Sequence, residues 1–529
     1  MLVSVGNDCH IGEAKPTYCT FVYVGIGSAA VTDISAASPL SATLLAALDH
    51  SVTVPAYDRS ALRESIVHIG VGGFHRAHLA TYVDELAAAG NTDWGIVGCG
   101  VLPGDAAMAE ALNPQDLLYT LVTRGADHTD VQIIGSLLRY IHAAPDASEA
   151  IDAIANPAAQ IVSLTVTEGG YPVDDLTGDY VADSPNAGSA SAFGIIAAAL
   201  EKRRTTNGQP ITIMSCDNIM TNGRVARTAT LGEAARFGQP LIDFIESSVS
   251  FPNSMVDRIT PATTDFDRQW LHDTHGIADR WPVVTEPFRQ WVVEDNFAGQ
   301  RLPLEDLDII VTDDVEPYEF MKLRLLNAGH SCLAYLAALD DIETVDAAMS
   351  EPAIARYVRA FLALESKPVL PPVAGIDVDA YNDTLIERFS NPSIGDQISR
   401  LCLDGSAKFP KFLMPTVRAQ VAAGGSLALS ALALAGWCQY LIGTSDHGTA
   451  ISHAADPLLE QARQHAQAAL AEPTAFLDFV AVFDDDVRHS VAFRTAFTDA
   501  VERLRSGGIR FAIEHAISEA ENSGGQPAN

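Results

Sequence analysis

Two hydrophobic rhythms divide the chain near residue 313. Upstream, apolar runs of strand length recur, and each ends in a glycine-rich or polar turn. They are Ser65–Ile69 before Gly70, Trp94–Val101 before Leu102-Pro103-Gly104, Ala159–Thr167 before Glu168-Gly169-Gly170, and Gln209–Cys216 before Asp217-Asn218. Helical patterns lie between them: Leu79, Tyr82, Val83 and Leu86 keep i, i+3, i+4, i+7 spacing, and a similar pattern covers 223–237. Alternation of this kind predicts an α/β sheet with ligands beyond the strand C-termini. Downstream the pattern is mostly helical, over 317–339, 352–365, roughly 413–443, 456–471 and the run after 490. The division expected is 38–312 for the sheet-based domain and 313–529 for an α-helical one.

The first strand carries the sharpest local signal, Ser65-Ile-Val-His-Ile69-Gly70-Val-Gly72-Gly73-Phe74-His75-Arg76. A strand, a glycine turn and an amphipathic helix in that order form the context of a dinucleotide fingerprint, so the N-terminal domain reads as Rossmann-type. Gly70 permits the tight turn and Gly72 lets the backbone approach a pyrophosphate at the helix N-terminus; Gly73 and Phe74 are read with them as cofactor-binding. The usual third glycine is replaced by His75. After the second strand, Asp105 fits an acceptor for the adenosine ribose and favours NAD over NADP, although a surface-loop aspartate reads the same way. Glu168 and Asn218 sit just beyond strand ends, facing the same crevice; Asp217-Asn218 equally fits a helix N-cap. A second glycine pattern, Gly25-Ile-Gly27-Ser-Ala-Ala30, follows an apolar run but leads to a segment too short for the required helix. Residues 1–37 are therefore expected to be a loosely held extension.

In the second domain the conspicuous helix is 317–339, with Pro317 in its first turn. At about 100° per residue, Glu319 and His330 project roughly 60° and 80° from Lys322, and Asn327 about 140°. A lysine, a histidine, an asparagine and a carboxylate share one sector of an otherwise apolar helix. Desolvation lowers a lysine's pKa, which makes its amine a base at working pH. A lysine snorkelling from a core helix, with satisfied interior polar neighbours, fits the same pattern.

Composition narrows the partners. A chain of 529 residues with 48% hydrophobic and 19% charged content is globular and long enough for two cores. A net charge of −34 argues against nucleic acid or an anionic membrane as the main partner. Seven scattered cysteines without a C-x-x-C pair fit a reducing cytosol and no structural zinc. His75 and His78 could hold a metal, but the glycine turn before them has a better use, so no metal site is expected. No apolar run of about 18 residues spans a membrane; 426–435 is long enough only for a buried helix.

The order Thr312-Asp313-Asp314-Val315-x-Pro317-Tyr318-Glu319, then Lys322-x4-Asn327-x2-His330, resembles the polyol-specific long-chain dehydrogenases and reductases, the family of mannitol 2-dehydrogenase. The resemblance extends over about 44–520 through Gly70–His78, Ser215–Gly223, Val256–Pro261, Trp281–Phe288, and Asp379–Asn391 with the segment to Phe412. It implies NAD-dependent, metal-independent interconversion of D-mannitol and D-fructose by a monomer. Lys322 would be the general base and Asn218 and Asn327 donors to the alkoxide. His330 would orient the substrate and Glu319 relay the proton. Asp257 would meet a substrate hydroxyl, as would the basic pair Arg400 and Lys408. Without the resemblance, Asp257 reads as a loop salt bridge with Arg258, and Arg400 and Lys408 as a solvated face. A fructuronate or tagaturonate reductase and an arabinitol dehydrogenase share these motifs. A nucleotide-sensing protein without turnover would keep the fold but has no need of a base.

Overall fold

The computed structural model describes residues 38–174 and 177–523, so the proposed extension over 1–37, with Gly25 and Gly27, lies outside the described residues. Six strands form a parallel sheet: β1 (Glu64–Ile69), β2 (Gly95–Gly100), β3 (Leu137–His142), β4 (Ile161–Leu164), β5 (Ile211–Ser215) and β6 (Val249–Ser250). Their spatial order is β6-β5-β4-β1-β2-β3. The chain builds outward from β1 in one direction, then returns to add β4 on its other side. This reversal between β1 and β4 opens a crevice at their C-terminal ends.

Alternation along each strand supplies two buried faces. Ile66, Ile96, Leu137, Ile161 and Met214 pack on one side, and Val67, Val97, Ile141, Val162 and Ile213 on the other. The first side is covered by Leu79, Tyr82, Val83 and Leu86, the face expected from their spacing. They belong to α2 (Leu79–Ala88), which follows a short α1 (Gly73–Ala77); one continuous helix is not formed, because His78 leaves the helical region at φ −121°, ψ −92°. The second side is covered by helices Ala192–Thr206 and Asn222–Ala234.

A small sheet joins the two halves. Strand β7 (Ser254–Asp257) pairs antiparallel with β8 (Gln290–Glu294), which pairs parallel with β9 (Ile310–Thr312). On β7, Val256 enters the sheet core while Met255 enters the helical core. Period-two alternation therefore turns Asp257, like Met255, toward the helical half.

Beyond β9 the chain is helical, with α3 (Glu316–Lys322), α4 (Ala328–Leu339), α5 (Val378–Phe389), α6 (Gly405–Phe412), α7 (Ala428–Ile442) and α8 (Val491–Ser523), the last interrupted at Gly508. The apolar stretch near 426–435 becomes α7, buried on nearly every side. The helix expected over 413–443 is two, because Gly424 adopts φ 65° and ends Met414–Ala423 with a left-handed cap. Between α3 and α4, Leu323–Asn327 form a π-helical turn, in which the Ala328 amide reaches the Leu323 carbonyl. Among the described residues, no helix is long and apolar enough to cross a membrane.

Candidate active site

At the crevice beside β1, Gly70 takes φ 96°, and a Cβ there would lie 2.1 Å from the Thr165 carbonyl oxygen. Only glycine fits. The turn is held by Gly72 N–H donating to the Gly70 carbonyl (2.7 Å), which also accepts from the Thr165 hydroxyl (2.6 Å). His75 takes the place of the missing third glycine, stacking on His68 with ring centroids 3.4 Å apart. His78 uses Nε2 against the Gln290 carbonyl (3.1 Å). Burial pushes His68 and His78 down to about 3, and His75 well below the usual range.

After β4, Thr167 holds φ 65° and leads into Glu168. Asp217 fixes this turn, accepting from the Val166 amide (3.0 Å), the Thr167 amide (2.7 Å) and the Tyr171 hydroxyl (2.7 Å). Burial pushes its carboxyl up to about 6. The N-cap reading of Asp217-Asn218 is not realised. The helix begins at Asn222, and Asn253 accepts from the Gly223 amide instead (3.0 Å).

Lys322 ends α3 and is 8% exposed. Its Nζ donates to Asn218 Oδ1 (2.8 Å) and to the Val256 carbonyl (2.6 Å). Burial holds its pKa below the usual lysine range; Asp257 opposes this and Arg388 assists it. The cation that assists is Arg388, from a helix later in the chain. Glu319, one turn earlier, accepts from the Thr221 amide (3.1 and 3.2 Å), and burial pushes it up to about 7. The π turn alters the angular reading. One extra residue in a turn rotates later positions back by roughly 100°, bringing Asn327 to about 40° from Lys322 and His330 to about 20° on the other side of it.

Asp257 pairs with Arg388 (2.8 and 3.0 Å), and not with Arg258, whose guanidinium donates to the Ala77 and Glu286 carbonyls. The loop reading misplaces it: Asp257 lies on β7 and faces the helical half. Arg388 also holds Glu286 (2.9 and 2.8 Å). Neither partner carries a local signal, since they meet Arg388 across more than a hundred residues of chain. The next residue, Phe389, stacks on His330 at 4.1 Å. His330 is kept neutral by burial, down to about 3, and its Nε2 has no hydrogen-bond partner among the described residues. Arg400 is bound to Asp396 (2.6 and 2.5 Å), and Lys408 donates to the Leu401 carbonyl (3.2 Å).

One cleft of about 830 Å³ brings these groups together. Gly72, Gly73, Phe74 and Glu168 line one side, and Asn218, Asp257, Lys322, Asn327, His330, Arg400 and Lys408 line the rest. Asp105 lies outside that lining, at the end of β2, with Oδ2 accepting from the Leu102 amide (2.9 Å). Behind Lys322, a cavity of about 20 Å³ is lined by Asn218, Glu319 and Lys322. A buried lysine amine whose pKa burial lowers, two amides and a neutral imidazole facing one open space can exchange a proton with a hydroxyl while stabilising its oxyanion.

Comparison with known proteins bears on that chemistry. Residues 64–306 match the mannitol dehydrogenase Rossmann domain and 314–505 the mannitol dehydrogenase C-terminal domain. The chain is 44% identical over 483 residues to a mannitol 2-dehydrogenase of Cereibacter sphaeroides, covering 89% of this chain and 100% of that protein. A mannitol 2-dehydrogenase of Pyrenophora tritici-repentis is 42% identical over 479 residues, covering 88% and 84%. A solved Pseudomonas fluorescens mannitol 2-dehydrogenase, in ternary complex with NAD and D-mannitol, is 41% identical with TM-score 0.81, covering 91% of this chain and 100% of that one.

Proposed function

Because the chain belongs to the mannitol dehydrogenase family, we propose that it is an NAD-dependent, metal-independent oxidoreductase interconverting D-mannitol and D-fructose. The observation carrying this reading is the Lys322 amine, buried and 2.8 Å from Asn218 Oδ1, on the same cleft as the glycine turn. In this reading 38–312 carry the nucleotide and 313–529 the catalytic helices. It acts as a monomer in the cytoplasm, where the described cysteines, all buried and unpaired, stay reduced.

The residues present fit the cofactor. Gly70 has no room for a side chain, whereas a Cβ on Gly72 would meet nothing nearer than 3.9 Å and would intrude on the cleft it lines. Bare backbone there can approach a pyrophosphate. When bound, NAD supplies the hydride acceptor. Neutral Lys322 takes the substrate hydroxyl proton. Asn218 has its oxygen engaged by Lys322 and so offers Nδ2–H to the developing oxyanion, with Asn327 as second donor; each contributes roughly 3 kcal/mol. His330 orients the substrate through its free Nε2, and Asp257, Arg400 and Lys408 meet its other hydroxyls. Glu319 passes the proton outward, since the small cavity beside it is roomy enough for about one water. Arg400 has its charge met by Asp396, which favours a neutral polyol over a hexuronate.

The test is NADH consumption, followed by its near-ultraviolet absorbance, with fructose, fructuronate and xylulose offered separately. Turnover with fructose well above the others supports the reading; preference for fructuronate replaces it with hexuronate reduction.

A further inference from the structure

Arg388 closes α5, is almost fully buried, and lies under the face of Phe288, 4.0 Å from the ring centroid. Four donor contacts leave its guanidinium, two to Asp257 and two to Glu286. Glu286 in turn accepts from the Ile259 amide (2.6 Å), so the cluster grips both the end of β7 and the segment after it. Asp257 lines the cleft, and Val256 beside it accepts from Lys322 Nζ. On the other flank, Phe389 stacks on His330, with ring planes 26° apart. Two consecutive residues of one helix thus hold a carboxylate and an imidazole that face the same space.

We propose that Arg388 is a positioning residue for polyol turnover, fixing Asp257 as an ionised acceptor in the cleft and, by locking α5 against β7, setting the His330 ring through Phe389. A carboxylate this deeply buried would otherwise drift toward its protonated form. Opposed by Arg388 and Lys322, burial loses, and the Asp257 pKa lies below its usual value. The same guanidinium trims the negative field on the base. The charged groups that act most strongly on Lys322 are Asp257 from β7, Arg388 from α5, Glu168 from the turn after β4 and Glu319 from α3, with Asp217 lining the small cavity beside it and Asp396, Arg400 and Lys408 lining the same cleft. Removing the cation leaves carboxylates in excess, which makes the ammonium form of Lys322 easier to keep. Oxidation would then need a higher pH.

This inference rests on the dehydrogenase reading, and the experiment separates the two. Arg388→Gln and Arg388→Lys are made in the full chain, and NAD affinity, KM and kcat for D-mannitol, and the pH profile of oxidation are measured. With Arg388→Gln, NAD affinity stays within about threefold while kcat/KM for mannitol falls about 100-fold, chiefly through KM, as expected when a buried charge pair loses one partner. Its rate inflection moves to higher pH. Arg388→Lys keeps the charge but loses the fork and recovers part of the loss; should Arg388→Gln not fold, this variant alone carries the test. In Asp257→Asn, the further change to Arg388→Gln costs little more, because coupled residues are not additive. Mannitol kcat/KM within threefold of wild type, an unmoved pH profile, or an equal loss of NAD affinity overturns the proposal. Wild type inert toward every polyol would sink the dehydrogenase reading instead.

Discussion

The side of the cleft that follows β1 and β4 is made largely of main chain, whereas the side carried by α3, α4 and α5 is made of side chains. The first depends on what a backbone can do: Gly70 at φ 96°, bare Gly72, and Thr167 at φ 65° pinned by Asp217. Asp217, which burial pushes up to about 6, serves there to hold the turn, and the histidines beneath it are buried and neutral. The second depends on ionisation states that burial has moved: Lys322 downward, Glu319 up to about 7, and Asp257 held charged by Arg388. Under the proposed function, a site divided this way separates binding from chemistry, so lesions on the two sides should damage different quantities.

The largest contrast is between Lys322 and Gly70. Lys322→Ala should lower kcat for mannitol oxidation by about a thousandfold or more, while the NAD dissociation constant measured by calorimetry stays within about threefold. Gly70→Ala should do the reverse. Its Cβ would collide with the Thr165 carbonyl, so the melting temperature should fall by an amount corresponding to about 3 kcal/mol or more, with nucleotide binding lost first.

A smaller effect concerns acid stability. His78 has a folded pKa near 3, below its unfolded value, so the unfolded chain takes up the proton first. The stability this neutral ring contributes is complete above about pH 6.5 and is lost by about 1.4 kcal/mol per pH unit as pH falls toward 3. His78→Gln should therefore shed about 2 kcal/mol less than wild type between pH 6.5 and 5, measured by urea unfolding at each pH. The smallest effect is expected at the edge of the nucleotide side. Asp105→Ala should relax discrimination against NADP by about tenfold in kcat/KM, and unchanged preference would move the ribose contact elsewhere.

The same division decides what could be read from the chain. The nucleotide side is local: Ser65–Arg76 holds strand, turn and helix in sequence, and its glycines follow from turn geometry. Even so, His75 stacking on His68 in place of a third glycine has no local signature, because the partner ring comes from within β1. The catalytic helix was legible as apolar and polar faces, but a uniform 3.6-residue period misplaced Asn327, since nothing in Leu323–Asn327 announces a π turn. Glu168, Asn218, Asp257 and the Lys322–His330 segment can be nominated from motifs, and they line one cleft. Arg388 could not, because its role exists only when α5 meets β7, and an arginine near a helix C-terminus has an ordinary reading of its own.

The account depends on a lysine amine that is neutral while the alcohol is being oxidised. The most direct test is the pH profile of kcat for mannitol oxidation at saturating NAD in Glu319→Gln, where the carboxyl that titrates near 7 is gone. A rate that climbs with pH to a plateau, with one inflection below the ordinary lysine value of about 10.4, is predicted. A rate that falls from pH 6 to 10 would contradict it.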